Sequence, residues 1–358
     1  MISAPSRLGY DPEGLNTAMS PATIAESLVT PADEFFTRSH TGVPKVDPAG
    51  WRLEIGGLVR TPLSLSLDEL VHRFPRREVA ATIVCAGLRR VEFLTLGPLP
   101  GELAWGPEPA STGRWTGVAL RDVLLAAGVD PRARHAEFTG LDSVERHGHR
   151  FGFGGSIDLD KALGDETLLA HELNGAPLPP AHGFPLRAAV PGWIGARSVK
   201  WLTRIELIEE PSANYFQTKA YRVQREADPL EPRSVEGGQA LSGVPLNSVI
   251  LDPAAEARVA AGSLRVRGWA MGSSGRPLTS IEVSADWGRT WVRPSVTDQA
   301  GRWTWTFWEA TVRLSPGRHE LVVRAGDQVS RQPASVRDVW NVKGYGNNAW
   351  HRIAVTAE

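Results

Sequence analysis

Polar and apolar residues alternate in short runs along much of this chain. Trp51-Arg-Leu-Glu-Ile-Gly-Gly57 puts Trp51, Leu53 and Ile55 on one face and closes on a Gly-Gly turn, which predicts a strand. Ser66-Leu67-Asp68-Glu69 has the spacing of a capping box and opens a short helix that Pro75 ends. Leu120 to Ala127 carries apolar residues at i, i+3, i+4 and i+7, the signature of a helix with one buried face, and Gly128 stops it. Leu168-Leu-Ala-His-Glu-Leu173 reads as a strand, and the following Asn174-Gly175 predicts a tight hairpin. Strands and single helices alternate here without the regular rhythm of a doubly wound sheet, so a mixed α+β domain is expected. Beyond about residue 236 the helical period disappears. Residues 263–269, 280–284, 302–308 and 320–324 alternate as strands separated by turns, which predicts an all-β sandwich. Between the two units, residues 224–247 are rich in charge, Pro and Gly and read as a linker wrapped around the first domain. Residues 1–33 show little periodicity and read as an extended surface arm. The pattern thus divides the chain into an arm over 1–33, an α+β domain over 34–235 and a sandwich over 236–358.

Composition narrows the function more than the fold. With 42% apolar and 22% charged residues, the chain is an ordinary globular one, and 358 residues suffice for two cores. A formal net charge of −1 gives no electrostatic footprint for nucleic acid or a membrane surface. No apolar run reaches the roughly 20 residues a membrane helix needs. The first residues show neither a secretory apolar region nor a twin-arginine opening, so a cytoplasmic protein is expected.

The single cysteine changes the picture. It closes the apolar run Ala81-Thr-Ile-Val-Cys85 and is followed by Ala86-Gly87-Leu88-Arg89-Arg90. One cysteine forms no internal disulfide, and one thiolate cannot hold zinc or an iron–sulfur cluster alone. Flanking arginines bias a thiol toward thiolate. Such a thiolate can complete the coordination of a metal whose other ligands come from an organic cofactor.

Cys85-Ala-Gly-Leu-Arg-Arg90 resembles the Cys-Ala-Gly-Asn-Arg-Arg signature of the sulfite oxidase family of molybdenum enzymes, which includes plant-type nitrate reductase. The resemblance implies that Cys85 ligates molybdenum, whose other ligands are the dithiolene of a molybdopterin and oxo groups. Leu88 departs from the usual asparagine. Phe36-Thr37-Arg38-Ser39-His40, with Val43-Pro44 after it, is similar to the family's Phe-x-Arg-Asn-His segment, with Ser39 in place of asparagine. There the arginine reaches the substrate anion and its neighbours touch the pterin. Gly140-Leu-Asp142-Ser resembles a segment whose aspartate binds the pterin. His182-Gly-Phe-Pro-Leu-Arg187 and Gly195-Ala-Arg-Ser198-Val199-Lys200-Trp201 match the stretches that cradle the pterin and its phosphate. Gly and Pro there leave the backbone free to approach a ligand, and His, Arg and Lys supply phosphate donors. By the same resemblance Trp105 and Tyr221 wall the substrate pocket, and Arg38, Arg90 and Lys343 meet the oxyanion. Lys343 stands where sulfite-oxidising members usually carry arginine, so the charge is kept and the fork is lost. The terminal Trp340-Asn-Val-Lys343-Gly-Tyr-Gly-Asn-Asn348-Ala-Trp-His-Arg352 matches the end of the family's immunoglobulin-like dimerisation domain. The likeness spans residues 30–358.

The resemblance implies oxidation of sulfite to sulfate by oxo transfer, a homodimer through the C-terminal domain, and an external electron acceptor. No Cys-x-x-Cys-His haem site is present, so a chain without haem or flavin is expected. Reduction of nitrate or another oxyanion, and a molybdopterin carrier without turnover, are the competing readings. Ser284-Ala-Asp286-Trp-Gly288-Arg-Thr-Trp291 looks like an Asp-box, but a sialidase-like propeller repeats that hairpin and this chain has it once. Arg146-His147-Gly-His149-Arg150 lacks further ligands and reads as a solvated loop. Phe151-Gly-Phe-Gly-Gly155 misplaces the third glycine of a dinucleotide fingerprint and shows no preceding strand.

Overall fold

The computed structural model describes residues 7–146, 148–224 and 237–358. Two sheets build the first unit. One is antiparallel and runs Ala176–Pro177, Leu168–Leu173, Ala110–Ala119 and Arg76–Val84, with Arg187–Ala189 also paired to Leu168–Leu173. The other runs Leu63–Leu65, Leu53–Gly57, Leu202–Ile208, His135–Arg146 and His149–Asp158, and only its Leu53–Gly57/Leu202–Ile208 pair is parallel. Leu53 and Ile55 from one sheet and Val118 and Leu169 from the other share a core with Leu120, Val123, Leu124 and Ala127 of the predicted helix. Both helix signals are confirmed. In Leu67–Arg73 the Ser66 hydroxyl accepts from the Glu69 amide at 3.1 Å, and the Ser66 amide donates to the Glu69 carboxylate at 2.7 Å. Asn174 and Gly175 hold left-handed backbone between paired Leu173 and Ala176, as the tight hairpin requires.

The C-terminal unit stacks two four-stranded sheets. One is Asn247–Asp252, Gly262–Met271, Thr306–Leu314 and Ser295–Gln299; the other is Ala257–Val259, His351–Ala357, Gly317–Asp327 and Leu278–Ser284. Val266, Trp308 and Val312 of one sheet meet Val283, Leu321 and Val355 of the other in a single core. The Asp-box is the turn after Leu278–Ser284, where the Asp286 carboxylate accepts from the amides of Arg289 and Thr290 at 3.1 and 2.9 Å.

Four expectations are corrected. Residues 7–33 are not a surface wrapping: Ala18, Met19 and Ile24 are buried, and the Trp305 indole donates to the Leu28 carbonyl at 2.9 Å. Their apolar positions are set by contact with two domains, so they follow no helix or strand period. Residues 302–305 do not extend the strand that begins at Thr306. They cross to the cysteine strand, where the Thr82 amide donates to the Trp303 carbonyl and the Trp305 amide to the Thr82 hydroxyl, each at 2.9 Å. Phe151 to Gly155 lies inside the strand His149–Asp158, with His135–Arg146 before it; the backbone is committed to a sheet and cannot open a helix on a phosphate. The turn between those strands contains His147, outside the described residues. The linker is also shorter than expected. Gln239–Ala240 already pairs with Arg222–Val223, a sheet begins at Asn247, and residues 225–236 lie outside the described ones.

Candidate functional site

Cys85 leaves the end of the strand Arg76–Val84, whose register ends with Val84 opposite Ala110. Its amide donates to the Pro109 carbonyl at 2.9 Å, and the chain then folds back tightly, with the Leu88 amide on the Cys85 carbonyl at 3.1 Å. Arg89 holds left-handed backbone at φ 60° to complete that turn. Trp201 and Tyr221 adopt the same conformation. Three such non-glycine residues in and beside one site, each costing about 1–3 kcal/mol, mark backbone held in place by its surroundings.

The thiol faces a recess of about 690 Å³ that opens to solvent. Phe36, Arg38, Ser39 and His40 line it together with His182, Arg187, Ser198 and Lys200, and Asp142 and Tyr221 complete the lining. The polar groups hold one another. Arg38 donates to Asn16 Oδ1 at 3.1 Å and to the Ser39 carbonyl at 2.6 Å, and its Nη2 lies 3.2 Å from His40 Nδ1. His40 Nε2 is 2.9 Å from the Tyr221 hydroxyl. Lys200 donates to Ser39 Oγ at 2.8 Å, so the serine that replaces asparagine retains a partner. Arg187 donates to the carbonyls of His182 and Ser198 at 3.0 and 2.9 Å.

Burial dominates the ionisation of these groups. The Lys200 ammonium is pushed down to about 7 by burial and by repulsion from Arg187, which Asp142 offsets in part. Asp142 is raised to about 6 by burial against the pull of Lys200. His182 is pushed down to about 3 by burial and the charges of Arg187 and Lys200, so it is neutral at pH 7. Tyr221 rises to about 12, chiefly through burial, and keeps its proton as a donor. The Cys85 thiol is pushed up: burial outweighs Arg90 and Arg38, which corrects the thiolate expected from the flanking arginines. Charge next to a thiol favours the anion only where solvent or a metal also supports it.

Not every residue expected at the site lines it. Trp105, expected on the substrate wall, is fully buried, with Tyr10 against it at 4.0 Å between ring centroids. Thr37 turns its hydroxyl to Thr17 at 2.8 Å, and Val199 lies in the core while its carbonyl accepts from the Ala188 amide. Arg90 and Lys343 stand beside the recess in a corner of their own. The Arg90 guanidinium lies over the Tyr345 ring at 4.9 Å, and Tyr345 stacks on Tyr221 at 5.4 Å. Leu88 is buried with Val84, Val244 and Trp269, an apolar contact between the units where an amide would be stranded.

Sequence reasoning missed the clamp behind the cysteine. Arg89, fully buried, forks onto Glu92 at 2.7 and 2.8 Å and donates to Asn247 Oδ1 and the Ala349 carbonyl, each at 2.8 Å. The Asn347 amide donates to the Arg89 carbonyl at 3.0 Å, and the Gly346 amide to the Ala86 carbonyl at 2.8 Å. The end of the C-terminal unit thus grips the turn that presents the thiol. The acid two residues after the arginine pair was the one available signal.

The comparisons with known proteins agree with this arrangement. An oxidoreductase molybdopterin-binding domain matches residues 40–216, and a Mo-co oxidoreductase dimerisation domain matches residues 239–358. Sulfite oxidase of Gallus gallus is 40% identical over 92% of the chain and 73% of its own length. The chain belongs to the sulfite oxidase family of molybdenum enzymes. Mitochondrial sulfite oxidase of Homo sapiens is 37% identical over 95% of this chain, which spans 64% of that protein, just under two thirds of its length. The sulfane dehydrogenase SoxCD of Paracoccus pantotrophus superposes with a TM-score of 0.79 over 96% of this chain and 86% of its own, at 25% identity.

The recess of this family member fits the cofactor of its family. Asp142 Oδ1 is buried without a hydrogen-bond partner and can accept from the N–H edge of a pterin. Arg38, Arg187 and Lys200 line the same space, and Asp142 is the one acid among the described lining residues, which suits a phosphate-bearing ligand. The buried thiol is the one soft metal ligand among the described lining residues.

Proposed function

We propose that this protein oxidises sulfite to sulfate and passes two electrons to an acceptor outside the chain, without haem or flavin of its own. The balance is sulfite plus water giving sulfate, two protons and two electrons. The observation that carries the reading is the placement of one thiol among Arg38, Tyr221 and the Arg90–Lys343 corner, within a chain of this family. Cys85 would bind the metal, with Asp142, His182, Arg187, Ser198 and Lys200 holding the pterin and its phosphate. When bound there, the molybdenum group supplies two-electron oxygen-atom transfer.

The chain's own residues select and orient the anion. Arg38 presents fixed positive charge at the recess, where desolvation strengthens each ion–dipole contact. Tyr221, protonated at working pH and held by His40, offers a donor of fixed direction. Phe36 and Phe153 line the recess and restrict water. Arg90 and Lys343 add charge from beside it, and a dianion gains more from such a cluster than a monoanion. The second unit grips the turn that bears the thiol, and its match to a dimerisation domain supports a homodimer. Its tryptophans do not: of Trp269, Trp287, Trp291, Trp303, Trp305 and Trp308, only Trp287 is exposed, and the rest pack within the chain.

Steady-state kinetics on molybdenum-loaded protein decide the reaction. Sulfite with a one-electron acceptor should turn over faster than nitrate with a reduced dye. Faster nitrate reduction would overturn the assignment.

A further inference from the structure

We propose that Glu102 is a specificity-determining residue: a built-in counter-anion that occupies the Arg90–Lys343 corner and weakens capture of dianions, the product sulfate included. The inference rests on the oxyanion reading above and deepens it. The Glu102 carboxylate lies 3.2 Å from Arg90 Nη2 and 3.6 Å from Lys343 Nζ, with its side chain 16% exposed. Arg90 comes from the turn after the cysteine, Lys343 from the C-terminal unit and Glu102 from an irregular stretch before Trp105. No sequence spacing links the three, yet they meet in one contact.

Each guanidinium nitrogen of Arg90 has a partner there. Its Nε donates to the Gly344 carbonyl at 3.2 Å, Nη1 to the Leu103 carbonyl at 3.1 Å, and Nη2 faces Glu102. The slot is tight: a Cβ on Gly87 would stand 2.8 Å from the guanidinium carbon, and one on Gly344 would stand 2.7 Å from the Arg90 Cγ. These contacts hold Arg90 in place, so an oxyanion that pairs with its Nη2 competes with Glu102 for it. The corner is also electrically connected to the recess. Burial first, and Glu102 among the nearby charges, oppose ionisation of Tyr221.

Charge counting then gives the specificity. Arg38, Arg90 and Lys343 together offer three positive charges, and Glu102 cancels one before any substrate arrives. An anion of charge −2 is repelled by Glu102 twice as strongly as one of charge −1. The corner therefore limits affinity for sulfite and sulfate alike, and by limiting sulfate it speeds product departure.

The test is Glu102→Gln, which keeps shape and hydrogen bonding and removes the charge, beside Glu102→Asp, which keeps the charge. Holoenzymes of equal pterin and molybdenum content and equal thermal stability are titrated with sulfate and with nitrate by calorimetry at low ionic strength. Sulfite kinetics with sulfate as inhibitor run in parallel. In Glu102→Gln the sulfate dissociation constant should fall about tenfold and that of nitrate about threefold, the square-root relation that a pure charge effect demands. Glu102→Asp should stay within about twofold of wild type for both ions. Unchanged sulfate affinity, an equal gain for both ions, or weaker binding would overturn the proposal. Absence of sulfite turnover in wild-type protein would sink the reaction reading alone, because the binding ratio is read without turnover.

Discussion

The cradle that would face the pterin and the corner beside it each hold two cations and one acid, yet the acid is placed differently in the two. In the cradle, Arg187 and Lys200 are buried with one acid, Asp142, which keeps a carboxylate oxygen unpartnered. In the corner, Arg90 and Lys343 share the carboxylate of Glu102. Among the described residues no carboxylate is in ion-pair contact with Arg187 or Lys200, and a buried cation without one is costly, so a permanent polyanionic ligand would suit the cradle. In the corner Glu102 offsets one of the two positive charges at rest, which suits an anion that arrives and leaves. Resident cofactor and exchanging substrate thus call for different electrostatics within one cavity system.

The strongest way to break this division is Cys85→Ser. It should retain the pterin, held by the cradle, while sulfite turnover falls more than 10³-fold; pterin and molybdenum content beside activity check it. Wild-type turnover would reject Cys85 as the ligand. Arg89→Met tests the clamp behind both regions. It removes the fork on the partly exposed Glu92, which keeps Asn347, withdraws hydrogen bonds from buried Asn247 and Ala349, and should cost about 2–3 kcal/mol of stability, read by thermal unfolding. Arg90→Ala should lower kcat/KM for sulfite roughly 30- to 1000-fold, since losing a buried charged partner costs ~2–4 kcal/mol, with pterin content unchanged. Lys343→Ala, a partly exposed point charge, should lower it only about threefold to tenfold. A pterin loss in either variant would merge corner and cradle.

A separate effect, on stability and not on turnover, concerns pH. His351 is pushed down to about 3 by burial and by Arg89, and its Nδ1 accepts from the Ile250 amide at 3.0 Å. Glu92, 3.9 Å away, faces it as the opposing charge. Its folded pKa lies below the unfolded value, so the unfolded chain binds the extra proton. Stability is therefore complete above about 6.5 and drains as pH falls toward 3. Thermal unfolding from pH 8 to 4 should show this slope, and His351→Gln should reduce it, leaving the share that His182 contributes with the same sign.

Short-range signals were enough for much of the fold. The capping box at Ser66–Glu69, the helix ending at Gly128, the Asn174-Gly175 hairpin and the alternation of the C-terminal strands depend on residues within a few positions of one another. The cysteine turn and the His182–Lys200 segment stood out by their likeness to the family's signatures, and the structure brings Cys85, His182, Arg187, Ser198 and Lys200 to one recess. Tertiary structure alone decided the rest. Trp105 sits in the core and not on the substrate wall because the arm brings Tyr10 over it, a contact across 95 positions. The Cys85 thiol is pushed up because burial is a property of the packed cavity, invisible in the two arginines beside it. Arg89 and Arg90, adjacent in sequence, diverge into a domain clamp and a corner cation because Arg89 itself holds left-handed backbone in the turn. Glu102 enters that corner through space and not through spacing. Local sequence specifies which chemistry a residue can perform; the field and the partners that decide whether it does so come from chains of contact that only the fold closes.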